Sequence, residues 1–426
     1  MLLQKRLRSK GAVLVEGAKW CGKTTTSMQI AKSILYMQDP ATVRLNLELA
    51  DINPGRLLKG ETPRLIDEWQ MAPKLWDAVR FEVDRRDEFG QFILTGSAVP
   101  ADMSQIFHSG TGRISRILMR PMTLFESGES SGEVSLGELF RNGEDRSGTD
   151  TSDISGECDM DIEYLAYIIC RGGWPRAVCC NPETEKDIAL QQALDYCDAV
   201  ASSDISRADN VDRNPERVRR LMRSYARGIG SQTKMTSIVA DMSANDVDPL
   251  SIITVKSYIC ALKKIFVIED SPSWNPNLRS KTAIRTSDTR YYTDPSIGTA
   301  ALGLGPGDLV NDPETMGFFF ENLCIRDLRV YAEANDGSVY HYRDKSGLEC
   351  DAVVHLRNGS YGLIEIKLGG DRLVEEGAET LKRLEKSIDT GKMKLPSFKM
   401  VLTGIGPYAY RRKDGILVVP VGCLKN

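Results

Sequence analysis

Short apolar runs alternate with helical patterns in the first hundred residues. Residues 12–15 form a continuous apolar run typical of a buried strand, and further strand patterns occur within residues 64–70 and 91–97. The positions that recur at helical spacing after the first run are Met28, Ile30, Ala31, Ile34 and Leu35. This order predicts an α/β module with a parallel sheet and helices on both faces.

The middle of the chain is predicted to be helical after a polar insertion. Residues 127–160 are rich in Gly, Ser, Asp and Glu, which predicts a mobile acidic surface segment. Helical patterns cover residues 162–178 and 184–205, and we expect these helices to form a lid over a bound nucleotide. Residues 211–300 then predict three helices and a β-ribbon, the arrangement of a winged helix-turn-helix.

The third helix of this winged module has one apolar face. That face consists of Ile252, Val255, Ile259 and Leu262. Such a helix commonly enters the DNA major groove. The candidate DNA contacts are Ser251, Thr254, Lys256, Ser257, Lys263, Arg279, Lys281 and Arg285. Alternatively, the module docks proteins or regulates the rest of the chain, since the helix carries few positive charges.

The last third of the chain predicts the order α-β-β-β-α-β-β, starting with a helix over residues 316–335. The three central strand patterns lie at residues 338–344, 348–356 and 361–368. Side chains two positions apart on a strand point to the same face, so Glu365 and Lys367 are predicted to lie side by side.

Composition and charge limit the function classes. The 426 residues are 41% hydrophobic and 27% charged, as in ordinary soluble proteins of several domains. A net charge of −4 means that any nucleic-acid binding needs a local basic patch. Ten scattered cysteines without C-x-x-C argue against a zinc site or a disulfide framework. With no signal peptide or long apolar run, we expect a cytoplasmic protein without a membrane partner.

A phosphate-binding loop follows the first strand, where GAKWCGKT fits the pattern G-x-x-x-x-G-K-T. The candidate ATP-binding residues of this loop are Gly17, Gly22, Lys23, Thr24 and Thr25. The glycines let backbone N–H groups turn towards phosphates at the start of a helix. The lysine is expected to reach the β- and γ-phosphates, and the Thr24 hydroxyl to bind Mg²⁺.

Acidic and hydroxyl residues follow two further strands. Asp67 is interpreted as a second partner of Mg²⁺, through water, and Glu68 as the group that polarises the attacking water. The alternative is an acid pair at a helix N-terminus, which the helix dipole favours. Thr95 and Ser97 end the next strand, where strand ends face the nucleotide crevice, and are candidates to sense the γ-phosphate.

Three arginines come next in the chain: Arg113, Arg116 and Arg120. All three are candidates for a catalytic arginine that acts within the chain or on a neighbouring subunit, because phosphoryl transfer often uses an arginine to stabilise charge, and Arg113 is the one chosen. The alternative is a solvated helix or strand face.

In this order, GAKWCGKTT, LIDEWQ, ILTGS and RPMTLFE resemble a large prokaryotic family of AAA-type ATPases. Members of that family carry a C-terminal domain of unknown function. The resemblance extends to GGWPRAV at residues 172–178 and RYYTDPSIG at residues 290–298. It implies an AAA-type P-loop core that binds and hydrolyses ATP with Mg²⁺.

The C-terminal order, with Asp351 on the second strand and Glu365-x-Lys367 on the third, resembles the restriction-endonuclease-like PD-(D/E)xK superfamily. The resemblance implies that the two acids hold Mg²⁺ or Mn²⁺ against a scissile phosphate while the lysine orients water. Glu321, on the preceding helix, would be an additional ligand, with Glu349 as an alternative. Other interpretations are a simple ion pair on a strand or a domain that binds without cutting.

Together these patterns predict four modules. They are an ATPase core at residues 1–126, an acidic insertion and lid at 127–210, a winged helix at 211–300 and a nuclease-like domain at 301–426. The leading hypothesis is a DNA-associated ATPase whose ATP state gates the last two modules. The alternatives are a nucleotide-dependent switch that docks protein partners, its C-terminal domain a non-catalytic scaffold, and an ATP-driven motor without nuclease chemistry.

Overall fold

The computed structural model describes residues 2–100, 106–144, 154–243, 250–276 and 287–426. The chain folds into two compact units. The first unit consists of Met1–Pro121, Asp198–Val218 and Ile253–Val267. The second consists of Met122–Cys197, Arg219–Ile252 and Ile268–Asn426. Within the described ranges, no helix is long and apolar enough to cross a membrane.

The first unit contains a five-stranded parallel sheet in the order β2-β3-β4-β1-β5. Its strands are β1 (Ala12–Glu16), β2 (Ser33–Tyr36), β3 (Arg64–Asp67), β4 (Phe92–Gly96) and β5 (Ile114–Leu118). The helices along this part are α1 (Leu2–Leu7), α2 (Lys23–Met28), α3 (Val43–Ile52) and α4 (Leu75–Arg86). The predicted α/β class with an N-terminal parallel sheet is confirmed.

Both faces of this sheet are buried, as expected for parallel strands. Val13 and Leu14 alternate along β1 and belong to different apolar clusters. Leu75 on α4 packs in one cluster and Leu3 on α1 in the other. Helices therefore cover both faces, which leaves the carboxyl ends of the strands as the open edge.

One element prediction in this unit was wrong. The helix α2 ends at Met28, and Ile34 and Leu35, predicted to continue it, lie in β2. The four residues of β2 pair in parallel with β3, Ile34 opposite Leu65. A short apolar run fits a helix or a strand equally well, and here pairing with β3 decides between them.

Helices predominate in the middle of the chain. They are α5 (Leu124–Ser127), α6 (Leu136–Glu144), α7 (Ile162–Arg171), α8 (Pro175–Val178), α9 (Lys186–Ala199), α10 (Ile205–Arg207), α11 (Pro215–Arg227), α12 (Met235–Ser243) and α13 (Ile252–Lys264). The predicted acidic insertion is partly structured, because α6 buries Leu136 and Phe140. Residues 145–153 of that insertion lie outside the described residues.

The helices predicted for the winged module exist as α11, α12 and α13, but they divide between the two units. From Ile253 onwards α13 belongs to the first unit, whereas α12 belongs to the second. Two isolated antiparallel bridges, Ile268 with Tyr292 and Ser271 with Thr289, stand where the ribbon was expected. The candidate contacts Arg279, Lys281 and Arg285 lie outside the described residues. The predicted module boundaries and the DNA role of α13 stay predictions.

The second unit contains a six-stranded mixed sheet in the order β11-β12-β10-β9-β8-β7, and β6 pairs with β13. Its strands are β6 (Val134–Ser135), β7 (Gly337–Arg343), β8 (Glu349–Leu356), β9 (Tyr361–Lys367), β10 (Phe398–Thr403), β11 (Tyr410–Arg411), β12 (Leu417–Pro420) and β13 (Leu424–Lys425). Its later helices are α14 (Pro295–Leu302), α15 (Pro306–Asn311), α16 (Pro313–Ala334) and α17 (Asp371–Ser387). The α-β-β-β-α-β-β order is present, with β11 as an extra strand.

A buried polar network joins the GGWPRAV and RYYTDPSIG segments to α16. Arg326 donates to Asp294 at 2.8 Å and forms an ion pair with Asp327 at 2.7 Å. The backbone N–H of Gly173 donates to Asp294, and Ser296 donates to its other carboxylate oxygen at 2.6 Å. These segments of the resemblance therefore meet in the interior of the second unit.

Candidate functional site

The phosphate loop lies between β1 and α2, at the open edge of the first sheet. Gly17 and Gly22 have φ values of 154° and 96°, a region that favours glycine. A Cβ at Gly17 would lie 2.1 Å from the carbonyl oxygen of Met119, so no larger residue fits there. The strand order reverses at β1, because the chain passes from β1 to β2 at one edge of the sheet and from β4 to β5 at the other. α/β sheets bind ligands at such a reversal point.

The loop lysine is buried and oriented towards the loop itself. The ammonium of Lys23 donates to the carbonyl oxygens of Gly17 at 3.0 Å and Ala18 at 2.7 Å. Thr24 follows at the start of α2 and is half-buried, while Thr25 is exposed. The loop therefore places one cation and one hydroxyl at a helix N-terminus, the arrangement that binds phosphate groups.

Asp67 is the centre of a hydrogen-bonded cluster beside the loop. It ends β3 and is 1% exposed. One carboxylate oxygen accepts hydrogen bonds from the hydroxyls of Thr24 and Thr95, both at 2.6 Å. The other accepts from the side-chain amide of Gln38 at 2.7 Å. Three neutral donors thus fix this carboxylate against the phosphate loop.

Glu68 is held in an unusual backbone conformation next to that cluster. Its φ of 57° and ψ of 45° are left-handed. Its carboxylate accepts hydrogen bonds from the hydroxyl of Ser97 at 3.1 Å and from the amide of Gln70. The structure therefore brings Ser97 to Glu68 and Thr95 to Asp67.

Two glutamines of this site were missed at the sequence level. Gln38 follows β2 and Gln70 lies in a short 3₁₀ turn at Trp69–Met71. Neither belongs to the motif, and only their contacts with the two acids identify them. The one available signal was that polar side chains directly after parallel strands meet at one edge of the sheet.

The structure does not bring Arg113 to the phosphate loop of its own chain. Arg113 precedes β5 at the amino-terminal edge of the sheet, about 15 Å of strand away from the edge that carries the loop. Its guanidinium pairs with Asp84 at 2.7 Å. Arg113 therefore lies away from the phosphate loop of its own chain, and its catalytic role, within the chain or on a neighbouring subunit, stays a prediction.

The other two arginines occupy different places. Arg116, on β5, pairs with Glu16 at 3.1 Å. Arg120 follows β5 at the carboxyl edge, next to Met119, whose backbone N–H donates to the carbonyl of Glu16. Of the three arginines, Arg120 is the one at the edge of the sheet that carries the loop.

In the second unit, Asp351 and Glu365 share one lysine. The ammonium of Lys367 lies 3.1 Å from Asp351 and 2.8 Å from Glu365. Asp351 also accepts the backbone N–H of Ile366 at 2.7 Å. Burial raises the pKa of Glu365 to about 8, and the charge of Asp351 adds to this rise while Lys367 opposes it. Glu365 and Lys367 on β9 therefore form one charged cluster with Asp351 on β8.

Glu321 lies beside this cluster and is engaged by a tyrosine. Its carboxylate accepts a hydrogen bond from the hydroxyl of Tyr291. Burial, followed by the charge of Asp351, raises the pKa of Glu321 well above its usual range. An open cleft beside the cluster is lined by residues that include Gln232, Tyr291, Glu321, His341, Arg343 and Asp351.

Among the described residues, no three His, Cys, Asp or Glu side chains are close enough to hold a metal ion. In the structure two of the three predicted metal ligands, Asp351 and Glu365, share Lys367, while Tyr291 engages Glu321, and the metal site stays a prediction. One oxygen of Glu365, which is 4% exposed, has no hydrogen-bond partner in the described part. Such an oxygen fits a cation, and Mg²⁺ often uses only one or two carboxylates, completed by water and substrate phosphates.

Three family models match successive parts of the chain. Residues 9–127 match an AAA domain. Residues 162–308 match a domain of unknown function, DUF8612, and residues 316–424 match another, DUF4143. The AAA-domain match includes the phosphate loop and Asp67, and supports a P-loop ATPase module that binds and hydrolyses nucleotide.

The similar proteins and the similar solved structure share little sequence identity with this chain. The chain is 21% identical over 420 residues to uncharacterized proteins of Mycobacterium bovis and Mycobacterium tuberculosis, covering 98% of this chain and 82% of each relative. Among solved structures, the Walker-type ATPase of Pyrococcus abyssi is 14% identical, with a TM-score of 0.41, over 70% of this chain and 93% of that one.

Proposed function

We propose that the protein is an ATP hydrolase whose catalytic groups lie at the phosphate loop of the first unit. The observation that supports this most strongly is the convergence of Thr24 and Thr95 on one oxygen of Asp67, at the loop that carries the buried Lys23. A hydroxyl and a carboxylate are the groups that hold Mg²⁺ in P-loop sites. Bound there, Mg²⁺ would neutralise charge on the phosphates.

The roles of the remaining residues follow from their contacts. Lys23, released from the carbonyls of Gly17 and Ala18, would bind the β- and γ-phosphates. Glu68 would accept a proton from the attacking water. The water oxygen would bond to the γ-phosphorus of ATP as the bond to the β-phosphate oxygen breaks, so that ADP and inorganic phosphate leave. Ser97 donates a hydrogen bond to Glu68 and would sense the γ-phosphate.

Lys23→Ala tests this function most directly. The variant should lose ATP turnover, because the phosphates lose their buried cation. Phosphate release from ATP is the measurement, and thermal unfolding shows whether the variant is folded. Turnover equal to that of the unchanged protein would contradict the assignment. Glu68→Gln should retain ATP binding while losing turnover, which separates proton transfer from binding.

A second candidate function is cleavage of a phosphodiester at Asp351, Glu365 and Lys367. It is favoured by the unpartnered oxygen of Glu365 and by the cleft that reaches Asp351. These acids would hold Mg²⁺ or Mn²⁺, which lowers the pKa of a bound water. Plasmid and single-stranded DNA with Mn²⁺ test it, with Lys367→Ala as the comparison. Cleavage that is equal in both proteins, or absent from both, would contradict it.

Association with DNA, and its control by ATP, complete the proposal. The support is the sequence of α13, whose exposed residues include Lys256 and Lys263. Binding of duplex DNA should weaken as salt rises, because phosphate contacts release counterions. Fluorescence anisotropy with ATP or ADP present measures both effects. Affinity that does not depend on salt or nucleotide would favour the alternative, a switch that docks protein partners.

A further inference from the structure

The phosphate loop contains a second lysine whose partner comes from far along the chain. Lys19 donates to Asp204 at 2.5 Å. The two residues are 185 positions apart and belong to the same compact unit. The side chain of Asp204 is 9% exposed and that of Lys19 is 41% exposed. A nearly buried carboxylate therefore holds the phosphate loop at Lys19, while Lys23 is hydrogen-bonded to carbonyl oxygens of the loop itself.

Asp204 belongs to a π-helical turn that is packed in the interior. It ends a π-helical turn, Val200–Asp204, between α9 and α10. Such turns are rare, and they frequently occur at functional sites. Val200 and Ala201 in the same turn are 1% exposed. Packing of these residues fixes the backbone of the turn that carries the carboxylate.

Arg213 ties this segment to α13. Its guanidinium is nearly buried and makes two hydrogen bonds to Asp209, at 2.6 and 2.9 Å. It also donates to the hydroxyl of Ser257 at 3.1 Å and lies over the ring of Tyr258. Residues 198–218 and 253–267 therefore form one packed support within the first unit.

The same support meets the site a second time. Val99, two residues after Ser97, donates its backbone N–H to the carbonyl of Lys264 at the end of α13. The support therefore contacts the phosphate loop at Lys19 and the end of the β4 segment at Val99. The first contact is on the loop proposed to bind phosphates, and the second is two residues after Ser97, which donates to Glu68.

We infer that Asp204 is a positioning residue of the nucleotide site, which acts through Lys19 to hold the phosphate loop in the shape that binds ATP. This inference rests on the proposed ATP hydrolysis. Its physical basis is preorganisation, since a loop already held in place loses less freedom when the phosphates bind. A competing effect has the opposite sign. If Asp204 only withheld positive charge, its removal would leave Lys19 free to attract phosphate and would tighten binding.

Asp204→Asn separates these effects, because it keeps the shape of the side chain and removes the charge. We expect the Kd for ATP to rise about tenfold, as is typical when a coupled contact is lost, with a smaller change in kcat at saturating ATP. Lys19→Gln should have a similar effect, and the double variant should be no weaker than either single one. Lys19→Arg, which keeps the cation, should restore most of the affinity.

Trp20 gives a measurement that a general loss of stability would not reproduce. It is 52% exposed and adjoins Lys19, whereas the other four tryptophans are at most 4% exposed. Acrylamide quenching therefore reports mainly on the loop, and Trp20→Phe confirms the assignment. Quenching should increase in Asp204→Asn. Asp51→Asn, which breaks the exposed pair with Lys74, is the matched control and should change neither quenching nor Kd.

The outcomes distinguish the inference from the function on which it rests. ATP binding that survives Lys23→Ala would overturn the proposed site itself. Binding that depends on Lys23 but is unchanged or tighter in Asp204→Asn, with unchanged Trp20 quenching, would overturn only the positioning role. If Asp204→Asn does not fold, Lys19→Gln carries the same test from the exposed partner.

Discussion

Two clusters in the second unit each place one cation between two carboxylates, and they differ in how completely their polar atoms are paired. Around Arg326, all four carboxylate oxygens of Asp294 and Asp327 accept hydrogen bonds. Around Lys367, one buried oxygen of Glu365 has no partner among the described residues. Glu365 is nearly as buried as the two carboxylates around Arg326, so its burial alone does not separate the two clusters.

The difference in pairing indicates different roles. A fully paired buried network specifies and holds a fold, whereas an unpaired buried oxygen costs free energy unless a ligand or proton satisfies it. Gly172 illustrates the first case, because a Cβ there would lie 2.4 Å from an oxygen of Asp294. We therefore interpret the Arg326 cluster as structural and the Lys367 cluster as a candidate ligand site.

The largest expected effect comes from breaking the paired cluster. Arg326→Leu should lower the free energy of unfolding by about 3–5 kcal/mol, because two buried carboxylates lose their cation. Urea unfolding measures this. Arg372→Leu removes an arginine from an exposed pair with Glu376 and should change stability by less than about 1 kcal/mol. Equal effects of the two substitutions would show that the Arg326 cluster does not hold the fold.

A smaller effect, on stabilisation by a metal ion, is expected at the Lys367 cluster, where one oxygen of Glu365 has no partner among the described residues. Glu365→Gln should abolish stabilisation by Mn²⁺, which for a site with free metal at ten times Kd is worth about 1.4 kcal/mol. Thermal unfolding with and without Mn²⁺ is the measurement. Asp67→Asn is the matched control, since it removes the acid of the ATP site and should leave this stabilisation intact. Stabilisation retained in Glu365→Gln would leave the cluster as a simple ion pair.

Sequence patterns predicted these two clusters unequally. The i, i+2 spacing of Glu365 and Lys367 predicted a shared face, and the strand order placed Asp351 beside them. Nothing in the spacing predicted that Tyr291 would engage Glu321, because that contact depends on how α16 packs. The Arg326 cluster joins three distant segments. Asp294 was noted only as part of a family resemblance, and Arg326 and Asp327 were not predicted.

The nucleotide site shows the same division. Residues within one motif, such as Lys23 and Thr24, were predicted because the loop is local in sequence, and Asp67 and Thr95 because they end parallel strands. Asp204 was not predicted, because it is 185 positions away from Lys19 in the sequence. The spacing of Arg113 did not reveal which edge of the sheet it occupies, and it precedes β5 at the amino-terminal edge.

The smallest expected effect on stability comes from two buried hydroxyls, that of Ser296 in the Arg326 cluster and that of Thr403 on the strand next to Lys367. Ser296 is fully buried, accepts from Trp174 at 2.9 Å and donates to Asp294, so Ser296→Ala should destabilise the protein by about 1 kcal/mol. The hydroxyl of Thr403 is buried without a partner in the described part and lies on β10, in register with Lys367. Thr403→Val keeps its shape and should be neutral or stabilising, since no hydrogen bond is lost. Urea unfolding of both variants measures the difference. Destabilisation by both to the same extent would mean that pairing does not distinguish the clusters, and the interpretation of Glu365 as a ligand would lose its physical basis.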